Sequence, residues 1–201
     1  MSYMGDVKSK FFEDTNATSA TYVAAAARPT TTFTLANSSF GTNTGRSITA
    51  TTAGTGDGDK TVTIVGTDVN GDAATEVITL PGSATTTAGT TIFFQTITSA
   101  TVSAQPAANV SLGITGTVAG GIFAGATRVR QVNAASGGAI GNVNFRNSGT
   151  AGTALLIIRV GATAGDINTV NIPQDGIRFT DGAYVTFLET QVNAVTVYYD
   201  G

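Results

Sequence analysis

KTVTIVGTDVNGDAATEVITL, Lys60 to Leu80, reads as two β-patterned runs either side of Asn70-Gly71. In the first run Val62 and Ile64 share one face and Thr61 and Thr63 the other. In the second, Ile78 and Leu80 share a face opposite Thr75, Val77 and Thr79. This period of two is that of a strand with one side buried. An Asn-Gly pair tolerates positive φ at little cost, which predicts a two-residue hairpin turn. The rest of the chain repeats the theme, with short Thr/Val/Ile runs punctuated by Gly, Asn and Asp. Residues 30–115 carry such runs at Thr32–Leu35, Ser47–Ala50, Thr91–Ile97, Ala100–Ala104 and Asn109–Ile114. Residues 126–201 carry them at Thr127–Asn133, Asn142–Phe145, Ala154–Val160, Thr169–Ile172, Ile177–Thr180, Tyr184–Leu188 and Ala194–Tyr199. Ala154–Ile158 is continuously apolar and fits a strand buried on both faces. Asp175-Gly176 and Asp181-Gly182 are turn signals bracketing one short strand.

Strands at about 10-residue spacing with turn signals between them mark a sandwich or barrel. Helix formers are scarce, so no helix is expected beyond residue 30. The expected fold is all-β: two small β-sandwich or jelly-roll-like modules, 30–115 and 126–201, with an extended N-terminal arm at 1–28. The glycines at 116, 120, 121 and 125 suggest a joint over residues 116–125, although one more loop in a single domain fits them equally.

The arm differs from the rest. It holds Lys8 and Lys10, two of the three lysines, with Tyr3, Phe11, Phe12 and Tyr22. A helical turn through Val7–Phe12 is too brief to stand alone. The stretch is either a frayed terminus or a segment that orders on a neighbouring subunit. In the second case Tyr3, Phe11, Phe12 and Tyr22 are the contact residues, since aromatics are enriched at interface centres. Glu13-Asp14 interrupt any hydrophobic region here, a poor match to a signal peptide.

Composition narrows the chemistry. Of 201 residues 11% are charged and 41% hydrophobic, too apolar for a disordered chain. The formal net charge is −3 and the densest basic spot is Arg128-Val129-Arg130, a balance unsuited to phosphate neutralisation, so no nucleic-acid partner is expected. No apolar run approaches the roughly 20 residues of a membrane helix, so no membrane partner is expected either. There is no Cys, which excludes disulfides and thiol catalysis, and no His, which removes the commonest general base. Carboxylates remain, but Asp57, Asp59, Asp72, Asp166, Asp175 and Asp181 sit beside or near glycines as solvated turn residues do. Glu76 and Glu189 lie within or beside strands without a partner visible in the sequence. Asp68-x-Asn70-Gly71-Asp72 places its Gly and Glu out of register for a calcium loop. No catalytic residue, metal ligand or cofactor is assigned.

The Lys60–Leu80 hairpin and the closing IPQDGIRFTDGAYVTF and AVTVYYDG segments (172–187 and 194–201) resemble virion proteins of tailed bacteriophages. The likeness covers most of residues 60–201. It implies a non-enzymatic structural protein at the capsid surface, most like a decoration (cement) protein. Such a protein is typically a β-rich homotrimer bound to the major capsid protein or other virion subunits. The alternatives are a tail-tube, adaptor or fibre protein, or a carbohydrate-binding adhesin module using Tyr184, Tyr198 and Tyr199. A carboxylate-based hydrolase is the remaining rival.

Overall fold

A computed structural model describes residues 6–200. The protein is all-β. Among the described residues there are fourteen strands, no helix, and two antiparallel sheets of five and nine strands. The first half of the chain supplies β1 (Val7–Glu13), β2 (Ser19–Ala27), β3 (Gly45–Thr52), β4 (Thr61–Asp68), β5 (Ala73–Thr79), β6 (Phe94–Val102) and β7 (Val110–Phe123). The second supplies β8 (Thr127–Ser136), β9 (Gly141–Asn147), β10 (Ala154–Val160), β11 (Ile167–Asn171), β12 (Ile177–Phe179), β13 (Ala183–Leu188) and β14 (Val192–Asp200). The chain divides into two compact units. One, the hairpin unit, is Ala17–Phe40 with Gly45–Gly116; the other, the terminal unit, takes the residues up to Asn16, Gly41–Thr44 and the chain from Thr117 onward.

In the hairpin unit, β4 and β5 pair antiparallel from Thr61↔Thr79 to Thr67↔Ala73, and β6 lies on the other side of β4. The hairpin is as read, but its turn is one residue longer than the expected Asn-Gly type. Gly71 N–H donates to the Asp68 carbonyl at 3.0 Å, and Asp68 N–H to the Asp72 carbonyl at 2.9 Å, leaving Val69, Asn70 and Gly71 as a three-residue loop. The reason lies in two side chains. Val69 is buried, and the Asp68 carboxylate accepts from the Asn70 and Asp72 amides at 2.8 and 3.1 Å. Gly71 takes the left-handed conformation at φ 88° that such a loop requires.

Val62, Ile64, Ile78 and Leu80 enter the hairpin unit's core with Phe33, Phe40, Ile48, Phe94, Leu112 and Ile114. Two expected strands differ. Of Thr32–Leu35 only Thr32 forms a bridge, to Thr101. Residues 91 and 92 are held off β6 by Glu76, whose carboxylate accepts from the Thr91 and Ile92 amides at 2.8 Å each. Asp57 is also no solvated turn residue. It is buried and accepts from Lys60 Nζ at 2.8 Å, Ala107 N–H at 2.7 Å and Ala108 N–H at 3.3 Å. Burial alone raises its pKa, but the Lys60 ammonium and the two amides outweigh that and hold it below the usual carboxylate value.

The terminal unit is a sandwich. One layer runs β1-β14-β8-β11, with β12 also on β8. Facing it are β10, β9, β13 and Thr117–Phe123 of β7. Phe12, Val132, Val195 and Val197 meet Val143, Phe145, Val185 and Phe187 in its core. The 116–125 segment is strand through Phe123 and not a loop, and the division between the two units falls at its first residue, Gly116. Gly120 is glycine because the Phe12 ring lies against it; a Cβ there overlaps that ring.

The N-terminal residues are extended, but within the fold. β1 pairs with β14 from Val7↔Asp200 to Glu13↔Ala194, and β2 pairs with the Val110–Ile114 part of β7. The helical turn considered for Val7–Phe12 is therefore a strand. Ala154–Val160 is a strand but not one buried on both faces. It ends its sheet, pairing only with β9, and leaves Leu155 and Ile157 43% and 57% exposed.

Candidate partner-docking face

Of the four aromatics expected to make a partner contact, the structure separates all the described ones. Tyr3 lies outside the described residues. Phe12 is fully buried in the terminal unit's own core, so it is a packing residue and not available to a second molecule. Tyr22 is half-buried in the hairpin unit, its ring 5.7 Å from that of Phe40. Phe11 alone of the described three is 40% exposed. Consecutive side chains in a strand point to opposite faces. Phe11 and Phe12 are neighbours in β1, so burying one turns the other outward.

The strand register places Phe11 on the outer face of the five-stranded sheet. It lies in a row with Thr196 of β14, Asn133 of β8 and Thr169 of β11. The next row toward the other end is Glu13, Ala194, Ala135 and Ile167. Ile167 is 69% exposed. Between Phe11 and Ile167 the intervening side chains are short, and they floor a shallow groove of about 190 Å³ lined by Phe11, Asn133, Ala135, Ile167, Ala194 and Thr196. Sequence reading missed Ile167, Ala135 and Ala194. The signal was present: at this end of β8 and β14, Asn133, Ala135, Ala194 and Thr196 alternate with core residues, and none of the four is long or charged.

Lys10, on the opposite face of β1 from Phe11, is half-buried. Its ammonium donates to the Gly121 carbonyl at 2.6 Å and lies 5.8 Å from the centre of the Phe12 ring. Burial lowers its pKa. At the far end of the same sheet Arg130 grips the Asp200 carboxylate with Nε at 2.9 Å and Nη2 at 2.6 Å. The tyrosines considered for sugar stacking are not arranged as a platform. Tyr199 is buried with its ring 6.1 Å from that of Phe123, and Tyr184 and Tyr198 are half-buried. Among the described residues no group of three or more Asp and Glu could hold a metal ion, and no helix is long and apolar enough to cross a membrane.

No family model matches the chain, and no curated protein does. Among solved structures, allantoicase from Saccharomyces cerevisiae aligns over 94% of this chain and 90% of that one, at 7% identity and a TM-score of 0.31. A likeness that slight carries no argument about fold family or activity.

Proposed function

We propose that this chain is a non-enzymatic structural protein of a phage virion, a capsid decoration protein that docks on the shell through the outer face of its five-stranded sheet. The observation that carries the proposal is the pair Phe11 and Ile167, standing exposed on either side of a groove floored by alanine, threonine and asparagine. Burying a side chain of that size is worth roughly 1.5–3 kcal/mol. A sheet face of short side chains costs little rotamer entropy to cover. The resemblance of residues 60–201 to virion proteins supplies the occupant: a subunit of the capsid shell. The proposal includes the homotrimer that the same resemblance implies.

The test is attachment to particles. Purified protein is mixed with phage heads assembled without it, sedimented and imaged. The expected result is added density on the outside of the shell. Phe11→Ser with Ile167→Ser should stay folded and lose attachment by tenfold or more. Density on a tail tube or fibre instead overturns the decoration reading in favour of a tail protein. Absence from every part of the particle ends the virion reading altogether.

A further inference from the structure

Three arginines, Arg128, Arg130 and Arg178, meet at the end of the five-stranded sheet opposite to Ile167, and among the described residues two carboxylates, Asp175 and Asp200, stand beside them. Arg128 of β8 lies directly opposite Arg178 of β12 on one side and Asp200 of β14 on the other. Asp200 is already taken. Its carboxylate is gripped by Arg130 through Nε and Nη2, and its backbone carbonyl accepts from the Thr127 hydroxyl. Arg130 also stands 3.8 Å from the 82%-exposed Asp175 carboxylate. Arg128 spends one N–H on the Asp175 backbone carbonyl at 3.3 Å. Arg178 is exposed and has no ion pair or hydrogen bond among the described residues.

Like charges directly opposite across a strand pair destabilise it. Here the register fixes the two backbone positions opposite each other. β12 is three residues long and sits between two turns, with Gly176 at φ 75° and Gly182 at φ 83°. Both arginines line a concavity of about 270 Å³, together with Ala126, Thr127 and Asp200.

We propose that Arg128 and Arg178 form a binding fork for an oxyanion, a carboxylate or phosphate group seated over Ala126 and Thr127. Guanidinium donors match the two oxygens of such a group, and a shared anion turns the Arg128–Arg178 repulsion into a bridge. The site is separate from the groove at Phe11 and stands whether or not the protein docks on a capsid.

The experiment is a titration of the intact protein at constant ionic strength, chloride being replaced by inorganic phosphate in one arm and by succinate in the other. Melting temperature and the amide resonances of residues 126–130 and 176–179 are the readouts. The expected result is a saturable rise in melting temperature and saturable shifts at those amides in at least one arm. Arg178→Gln should raise the apparent Kd at least tenfold, while Arg159→Gln, an exposed arginine of β10, should leave it unchanged. A response to phosphate alone identifies a tetrahedral anion; a response to succinate alone, a carboxylate. No saturable response in either arm overturns the proposal, as does a response that Arg178→Gln leaves intact. Loss of particle attachment in the Phe11 variant has no bearing on either outcome.

Discussion

Asp57 carries a testable consequence of its surroundings. Replacing it with Asn keeps the shape but removes the charge that Lys60 and two amides are arranged around, and turns one acceptor into a donor facing N–H groups. Stability should fall by about 1–3 kcal/mol, read as a lower urea midpoint. The pH dependence has a definite sign. The folded-state pKa lies below the ordinary aspartate value, so the carboxylate's contribution is complete above that value and disappears as the pH falls through the lower folded value. The wild-type protein should therefore lose urea resistance below about pH 4 more steeply than Asp57→Asn. A parallel loss in both proteins would show that other carboxylates dominate. Phe11 and Phe12 make a second contrast. Phe12→Ala should cost about 3–5 kcal/mol by emptying a buried aromatic site, while Phe11→Ser should stay within about 0.5 kcal/mol of wild type. Equal effects would mean that the assignment of their faces is wrong. The sequence contains this answer, because adjacent residues of a strand cannot both face a core. It was hidden because nothing local says that residues 7–13 are a strand.

Strands with clear period-two patterning were legible even where their partners are distant, as in β8, β13 and β14, but which distant strands pair was not, and the unpatterned β1 was missed. The β4–β5 hairpin and the short β12 between two Asp-Gly turns follow from turn chemistry and period-two patterning within a few residues. β1 depends on β14, nearly the whole chain away, and its own residues Val-Lys-Ser-Lys-Phe-Phe-Glu carry no turn on either side. β7 misleads for a related reason. Its glycines are local breaker signals, yet Gly120 is glycine to admit the Phe12 ring, a packing constraint from another part of the chain. The docking groove was only partly legible. Phe11 stood out in the sequence, whereas Ile167 joins it only through the register of four strands. Two outcomes test the elements themselves. Gly71→Ala meets no atom within 4 Å, so its cost is purely that of holding an L-residue at φ 88°, about 1–2 kcal/mol, and Gly71→Asn should cost less. Deleting residues 1–16 should unfold the terminal unit, because it removes both an edge strand and the Phe12 side chain. Circular dichroism showing an unaltered terminal unit after that deletion would make β1 a dispensable appendage.

Taken together, the strands pair residues that are far apart along the chain more often than neighbours. β1 with β14, β8 with β14 and β13 with β7 all close long loops before any contact forms. Refolding should accordingly lie in the millisecond-to-second range typical of non-local β topologies, measured by stopped-flow fluorescence of the tyrosines. A microsecond phase accounting for the full amplitude would contradict the pairing described.

The β1–β14 ladder also sets a waiting time. About 180 residues separate Glu13 from its partner Ala194, and a ribosome adding 5–20 residues per second takes roughly 10–40 s to cross that interval. For that period Phe11 and Phe12 are made without β14, the strand that β1 lies against. The hairpin unit, complete at Gly116, has no such delay. During synthesis the newborn chain thus presents a folded body trailing a short aromatic thread, the form in which a chaperone would meet it.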